Sequence, residues 1–108
     1  MFEASEFEEI INGASEVYIG NSVSATIPAG TKSGWLEAKN VNIKVTPPSI
    51  SGMTCVGWAL YSTTTYRIQA PFVKRLNSGE WQASCYLTDD IPSTVNGYIF
   101  FRPLYIKS

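Results

Sequence analysis

The segment FVKRLNSGEWQASCYLT, residues 72–88, contains two β-prone runs on either side of the turn residues NSG at 77–79. A short polar turn with a glycine between two such runs is a strong indication of a β-hairpin. In a strand, alternate side chains share a face, and one face of the second run collects Trp81, Ala83, Cys85 and Leu87. The segment therefore predicts two antiparallel strands with an apolar face.

Similar β-prone runs, separated by turn residues, continue along the chain from residue 16 onward. Val41, Ile43 and Val45 alternate with polar residues, whereas residues 53–62 and 98–102 are apolar on both faces. We expect Pro103 to end the last of these strands, because proline cannot donate to a ladder. About eight or nine short strands at this spacing predict an all-β fold, an antiparallel β-sandwich or jelly-roll-like domain over residues 16–108.

Residues 5–12 have helical spacing. Ser5 and Glu8 match a capping box, and Phe7, Ile10 and Ile11 form an apolar stripe at i, i+3 and i+4. We therefore expect a short N-terminal α-helix within residues 1–13, in the same single domain of 108 residues as the β body. A helix of two or three turns is not stable alone in water, so its stripe must pack on something.

The chain contains no histidine, which removes the commonest general base and the commonest metal ligand. No Gly-x-Ser-x-Gly or Ser-x-x-Lys motif is present, and the acids are either isolated or adjacent to one another. Asp89 and Asp90 are expected to shape their loop through hydrogen bonds to the backbone. We therefore predict that the protein is not an enzyme, with no catalytic residue, no cofactor and no metal site.

Charge is low and unevenly distributed. Charged residues make up 16% of the chain against a typical ~25%, and the net charge is −1. Residues 1–16 carry five acids and no base, which predicts either a solvated segment or one that docks on a basic surface. With a pI near 5.3, Arg67, Lys74 and Arg75 do not indicate nucleic-acid binding. No apolar run approaches a membrane span, and the start has no signal-peptide pattern, so we expect cytoplasmic synthesis.

The two segments that are apolar on both faces carry more large side chains than one inner face can hold. An isolated two-layer fold would leave some of these side chains in water, at a loss of about 1.5–3 kcal/mol each. This surplus predicts a homo-oligomer or a protein seated in an assembly. The predicted interface combines the N-terminal segment with the C-terminal run: Phe2, Phe7, Ile10, Ile11, Tyr98, Phe100, Leu104 and Ile106.

Two smaller questions remain open in the sequence. Trp35 follows Gly34 at the end of a loop, where an exposed ring would suit a sugar, so a carbohydrate-binding module is an alternative function with Trp35 as its ligand-binding residue. Cys55 and Cys85 lie in apolar runs, which favours two buried thiols in a reducing compartment and leaves one disulfide as the alternative.

The chain resembles the small accessory virion proteins of tailed bacteriophages, which include capsid decoration proteins and tail, baseplate and fibre modules. The resemblance lies in the Ser/Thr-rich run YSTTTY at 61–66 and the aromatic close GYIFFRPLY at 97–105. It implies a non-enzymatic structural or adhesion protein, located in the virion, that assembles with itself and with other virion proteins. A glycan or a host surface is a further candidate partner. A small virus-encoded inhibitor of a host protein is a further alternative.

Overall fold

The computed structural model describes residues 16–36 and 43–108, and every regular element in these two ranges is a β-strand. The eight strands are β1 (Tyr18–Ile19), β2 (Val23–Ile27), β3 (Gly34–Leu36), β4 (Lys44–Val45), β5 (Met53–Thr63), β6 (Ile68–Arg75), β7 (Trp81–Leu87) and β8 (Gly97–Lys107). The all-β prediction is confirmed for this part of the chain. The predicted helix, with Phe2, Phe7, Ile10 and Ile11, lies outside the described residues.

The strands form two antiparallel sheets of four. In sheet A, β8 is central, with β1 and β2 following one another along one side and β5 on the other. In sheet B, β7 is central, with β3 and β4 along one side and β6 on the other. Each sheet is thus three strands wide. All other strands of sheet A pair with β8, and all other strands of sheet B pair with β7.

One hydrophobic core joins the inner faces of the two sheets. Sheet A contributes Ala25, Ile27, Ile99 and Phe101, and sheet B contributes Leu36, Val45, Ile68, Ala83, Cys85 and Leu87. Near one end of the core, Trp58 of sheet A meets Trp81 of sheet B edge to face, with ring centroids 6.3 Å apart. The four residues predicted to share a face of β7 do so, because alternate strand residues point the same way.

The hairpin predicted from residues 72–88 is present as β6 and β7. Its turn is closed by two backbone hydrogen bonds, from the Leu76 N–H to the Glu80 carbonyl at 2.8 Å and from the Gly79 N–H to the Leu76 carbonyl at 2.9 Å. Gly79 has φ +90, which a residue with a side chain rarely adopts. The turn therefore needs glycine at this position.

The prediction that Pro103 ends a strand is wrong, because β8 runs through it from Gly97 to Lys107. The Pro103 carbonyl accepts from the Gly20 N–H at 2.8 Å, so the proline nitrogen faces the same side as this bond. That side holds residues 20–22, which connect β1 to β2 and lie outside both strands. The missing donor therefore falls at a gap in the neighbouring strands, where little ladder bonding is lost.

A second difference concerns the first strand of the hairpin, which the sequence predicts to begin at Phe72. The structure instead has a turn at 64–67 and a single strand, β6, that includes Pro71. The pairing register with β7 shifts between Gln69 and Phe72, and Ala70 has φ 49. A proline is tolerated there because β6 lies at the edge of sheet B and the irregularity takes Pro71 out of the ladder.

Both cysteines are free thiols. Cys85 is fully buried, and burial raises its pKa to about 11. Cys55 is half-buried in sheet A, and its thiol donates to the Gly57 carbonyl at 3.4 Å.

We expect a thiol reagent at pH 8 to label Cys55 in the native protein and to leave Cys85 unlabelled until the chain unfolds. The Cys85 thiol is shielded from the reagent and holds its proton at this pH, and the thiolate is the reactive form. Mass spectrometry of the labelled peptides measures this directly. A Cys55→Ala variant that still takes up label without denaturant would contradict it.

Candidate functional site

Strand β8 presents two rows of apolar side chains with different environments. Its inner row, which includes Ile99, Phe101 and Tyr105, is buried in the core region. Its outer row contains Tyr98, Phe100, Leu104 and Ile106, all half-buried, and we call these four residues the β8 outer face. The structure thus brings together the four C-terminal residues of the predicted interface, whereas the four N-terminal ones lie outside the described residues.

The β8 outer face is apolar along the strand, whereas the residues that pair with Phe100 in β2 and β5 are serines. The rings of Tyr98 and Phe100 stack with centroids 6.3 Å apart and an interplanar angle of 26°. Ile19, on β1, pairs with Leu104 and is also exposed. On the other side, Ala59 of β5 pairs with Arg102. The outer surface of sheet A is therefore largely apolar along its centre.

Arg102 lies in the middle of this row, between Phe100 and Leu104. Its Nε donates to the Gly20 carbonyl at 2.8 Å, and its Nη2 donates to the Ile19 carbonyl at 3.5 Å. Together with Asn21, Ser22 and Tyr61 it lines an open cleft of about 420 Å³. In the strands that the structure describes, the residues on the outer side of sheet A include no acid. Arg102 therefore gives the apolar surface an unbalanced positive charge.

Strand β5 accounts for the other segment with two apolar faces. Trp58 and Leu60 pair with Pro103 and Phe101 and so point to the inner side of sheet A, yet Leu60 is 52% exposed. Val56 and Tyr61 fall at the two register shifts of the strand, and both are exposed. A single copy thus conceals Phe101 and leaves large side chains of β5 and β8 in contact with water.

A second group of exposed rings lies on the outer side of sheet B. Trp35 is 52% exposed and meets Tyr86 edge to face, with ring centroids 5.3 Å apart. Phe72, 44% exposed, pairs with Ser84 on the same side of the sheet. We call Trp35, Tyr86 and Phe72 the Trp35 cluster. The predicted exposure of Trp35 is confirmed, and its role in ligand binding stays a prediction.

The sequence predicted Trp35 but not its two partners in the Trp35 cluster. The signal for Tyr86 was available, because it is the one aromatic residue in the row of β7 that otherwise holds Gln82 and Ser84. Phe72 had no such signal. The side of sheet B on which Phe72 lies depends on the irregular pairing between Gln69 and Phe72, which alternation along the sequence does not reveal.

The three basic residues considered for nucleic-acid binding do not form one surface. The Arg75 guanidinium lies over the Trp81 ring at 5.1 Å, on the inner side of sheet B, whereas Lys74 pairs with Gln82 and points outward. Arg67 lies in the β5–β6 turn, with its guanidinium 5.0 Å from the Tyr66 ring centre. Arg67 therefore lies at the opposite end of β6 from Lys74 and Arg75, whose side chains point to opposite sides of sheet B.

Two of the described acids, Asp90 and Glu80, make polar contacts with neighbouring loops and strands. Asp90 accepts a hydrogen bond from the Ser33 N–H at 2.9 Å, and this bond, with Lys32 nearby, lowers the Asp90 pKa. Glu80 pairs with Lys44 at 2.7 Å, and the bonds to Lys44 and Ser78 lower its pKa. The bond from Ser33 to Asp90 ties the loop between β7 and β8 to the loop between β2 and β3, and the predicted shaping of their own loop by Asp89 and Asp90 stays a prediction. Within residues 16–36 and 43–108, no three potential metal ligands lie together, and no helix could span a membrane.

Comparisons with protein-family models, with curated proteins and with solved structures found no match for this chain. Its function therefore has to be inferred from the surfaces themselves.

Proposed function

We propose that this protein is a non-enzymatic structural or adhesion protein that works by self-assembly and protein–protein contact. Its two sheets would form a β-sandwich. The protein would be a component of a virion, as a capsid decoration or tail-fibre protein, and would be made in the host cytoplasm. The observation that supports the proposal is the β8 outer face, an apolar row along the central strand of sheet A. The virion is favoured by the resemblance of residues 61–66 and 97–105.

The energetic argument is that water is a poor environment for this surface. Fully burying a Leu, Ile or Phe side chain stabilises a protein by about 1.5–3 kcal/mol, so covering the exposed part of a half-buried one contributes on the order of 1 kcal/mol. The four residues of the β8 outer face, with Ile19 beside them, would all gain from the same contact. A partner with a flat apolar surface therefore fits here.

We propose that the N-terminal segment of a second copy is this partner. The segment has the required chemistry, since Phe7, Ile10 and Ile11 are spaced to form an apolar stripe and residues 1–16 carry five acids and no base. The β8 outer face is apolar, and the positive charge of Arg102 lies between its residues Phe100 and Leu104. Apolar area would meet apolar area, and a glutamate would reach the cleft beside Arg102, which gives both affinity and orientation.

The test is the oligomeric state of the full chain, measured by light scattering and native mass spectrometry at micromolar concentration. We expect a defined oligomer, and we expect deletion of residues 1–12 to dissociate it while the β-type circular dichroism spectrum is kept. A monomeric full chain would overturn the proposal. An oligomer that survives the deletion would show that the N-terminal segment is not the partner.

The Trp35 cluster favours a second candidate function, carbohydrate binding. Flat aromatic faces pack against the C–H faces of sugar rings, and Trp35, Tyr86 and Phe72 offer three exposed rings on one side of sheet B. Gln69 pairs with Tyr86 on this side and supplies a polar neighbour for sugar hydroxyls. An open platform of this kind suits a chain of neutral sugars.

We expect Trp35→Ala and Tyr86→Ala each to weaken binding of a neutral oligosaccharide by at least about fivefold, because each removes one ring from the platform. A glycan array followed by tryptophan fluorescence titration measures the affinity. Tyr61→Ala is the matched control, since Tyr61 is 63% exposed but belongs to sheet A. A blank array with unchanged fluorescence would remove this function.

A further inference from the structure

A pocket of about 350 Å³ opens where the β5–β6 turn meets the loop between β7 and β8. One wall comes from the turn at 64–67, and the other comes from the loop at 91–97 and from Tyr98 at the start of β8. The Thr64 N–H donates to the Tyr98 carbonyl at 3.1 Å, and the Tyr98 N–H donates to the Thr64 hydroxyl at 3.0 Å. These bonds fix the two walls relative to each other.

Arg67 is the charged residue of this lining, and the described part of the chain leaves its charge uncompensated. No carboxylate lies within ion-pair distance of it there. Its Nη1 donates to the Thr65 hydroxyl at 3.3 Å, and its Nε is buried without an acceptor. Taking a guanidinium partly out of water without an anionic partner costs free energy, which an anion bound in the pocket would offset.

The guanidinium is nevertheless held in place. It lies 5.0 Å from the centre of the Tyr66 ring, and its residue is tied to the turn because the Thr88 N–H donates to the Arg67 carbonyl at 2.9 Å. A positioned guanidinium binds a carboxylate through two parallel hydrogen bonds and loses little side-chain freedom in doing so.

The remaining lining suits a sugar ring. Thr64, Asn96 and Tyr98 contribute hydroxyl and amide groups to the lining. The Asn96 amide nitrogen lies 3.4 Å from the Tyr98 hydroxyl, and its Oδ1 accepts from the Ala29 N–H at 2.9 Å. Pro92 and Val95, both exposed, offer an apolar wall. The volume lies at the lower end of the range for small-molecule sites, which fits one ring with its substituents.

From this geometry we infer that the pocket binds an acidic monosaccharide, with the sugar carboxylate on the Arg67 guanidinium. The ring hydroxyls would bond Thr64, Asn96 and Tyr98, and the C–H face of the ring would pack on Pro92 and Val95. This ligand differs from the neutral chain suggested for the Trp35 cluster, which lies on the outer side of sheet B. The inference also does not depend on self-assembly.

The test is saturation-transfer NMR and calorimetric titration of the full chain with sialic acid and with glucuronic acid, against glucose and acetate as the matched neutral and ringless ligands. We expect one of the two acidic sugars to bind, and glucose and acetate to bind at least about tenfold more weakly. Absence of binding by both acidic sugars, or equal binding by glucose or acetate, would overturn the inference.

Two variants assign the binding to the pocket. Arg67→Gln should weaken it about 10- to 100-fold, because it removes a charged hydrogen-bond donor. Arg75→Gln should leave it unchanged, since that guanidinium stacks on Trp81 and does not line the pocket. Asn96→Ala is a second pocket variant in case Arg67→Gln does not fold, as judged by circular dichroism. Equal affinity in a folded pocket variant and in Arg75→Gln would place the sugar elsewhere.

Discussion

Replacing Phe101 by alanine should lower the free energy of unfolding by about 3–5 kcal/mol, the range for removing a large buried aromatic side chain. Phe101 is 2% exposed and belongs to the shared core, where Val23 and Leu60 pair with it on either side. Few groups can move to fill the space, because Phe101 sits at the centre of a sheet. Urea denaturation followed by circular dichroism measures the change.

The neighbouring residue provides the matched control. Phe100→Ala removes the same side chain one position earlier, on the outer side of sheet A, where the ring is half-buried against Tyr98. We expect the free energy of unfolding to fall by less than about 1.5 kcal/mol, because the half-buried Phe100 ring loses less buried area than the fully buried Phe101 ring. Equal losses of stability for the two variants would mean that β8 does not have one inner and one outer row. A larger loss for Phe100→Ala would mean that Phe100 faces the core and Phe101 does not.

The same pair of residues shows what the sequence could and could not predict. Alternation predicts that Phe100 and Phe101 face opposite sides, because successive strand residues point to opposite faces. It does not predict which side is the core when both rows are apolar. The structure decides this through long-range pairing: Ala25 and Ile27 of β2 lie on the inner side of sheet A with Ile99, and only one side of the sheet can face sheet B.

Local signals predicted local elements well. The turn at 77–79 and the alternating apolar row of β7 identify a hairpin without any knowledge of the rest of the chain. Pro103 was misassigned because its tolerance depends on the connection at 20–22, more than 80 positions away. Gly20 shows the closeness of this contact, since a Cβ there would lie 3.0 Å from the Pro103 ring.

The candidate sites divide in the same way. An exposed Trp35 follows from a glycine and a loop beside it, whereas its packing on Tyr86 depends on the pairing of β3 with β7. The pocket at Arg67 joins a turn at 64–67 to a loop at 91–97, and no spacing in the sequence relates the two. Sites made from distant loops need the fold before they can be recognised.

Inserting charge into the β8 outer face should dissociate the proposed oligomer. In the double variant Phe100→Glu with Leu104→Glu, two new carboxylates lie on either side of Arg102, which can pair with only one of them. The other would be buried, without a partner, against an acidic segment. Burying an unpaired charge in an interface costs several kcal/mol, so we expect the dissociation constant to rise by at least about a thousandfold. Light scattering over a dilution series should then show a monomer at micromolar concentration.

The control for this experiment is Phe72→Glu, which introduces one glutamate in place of a ring that is 44% exposed on the outer side of sheet B. Its oligomer should stay intact, because the proposed contact uses sheet A alone. If Phe72→Glu dissociates the oligomer and the double variant does not, the interface lies on sheet B and the apolar row of β8 has another use. If both dissociate it, the effect comes from net charge, since residues 1–16 already carry five acids that repel one another between copies.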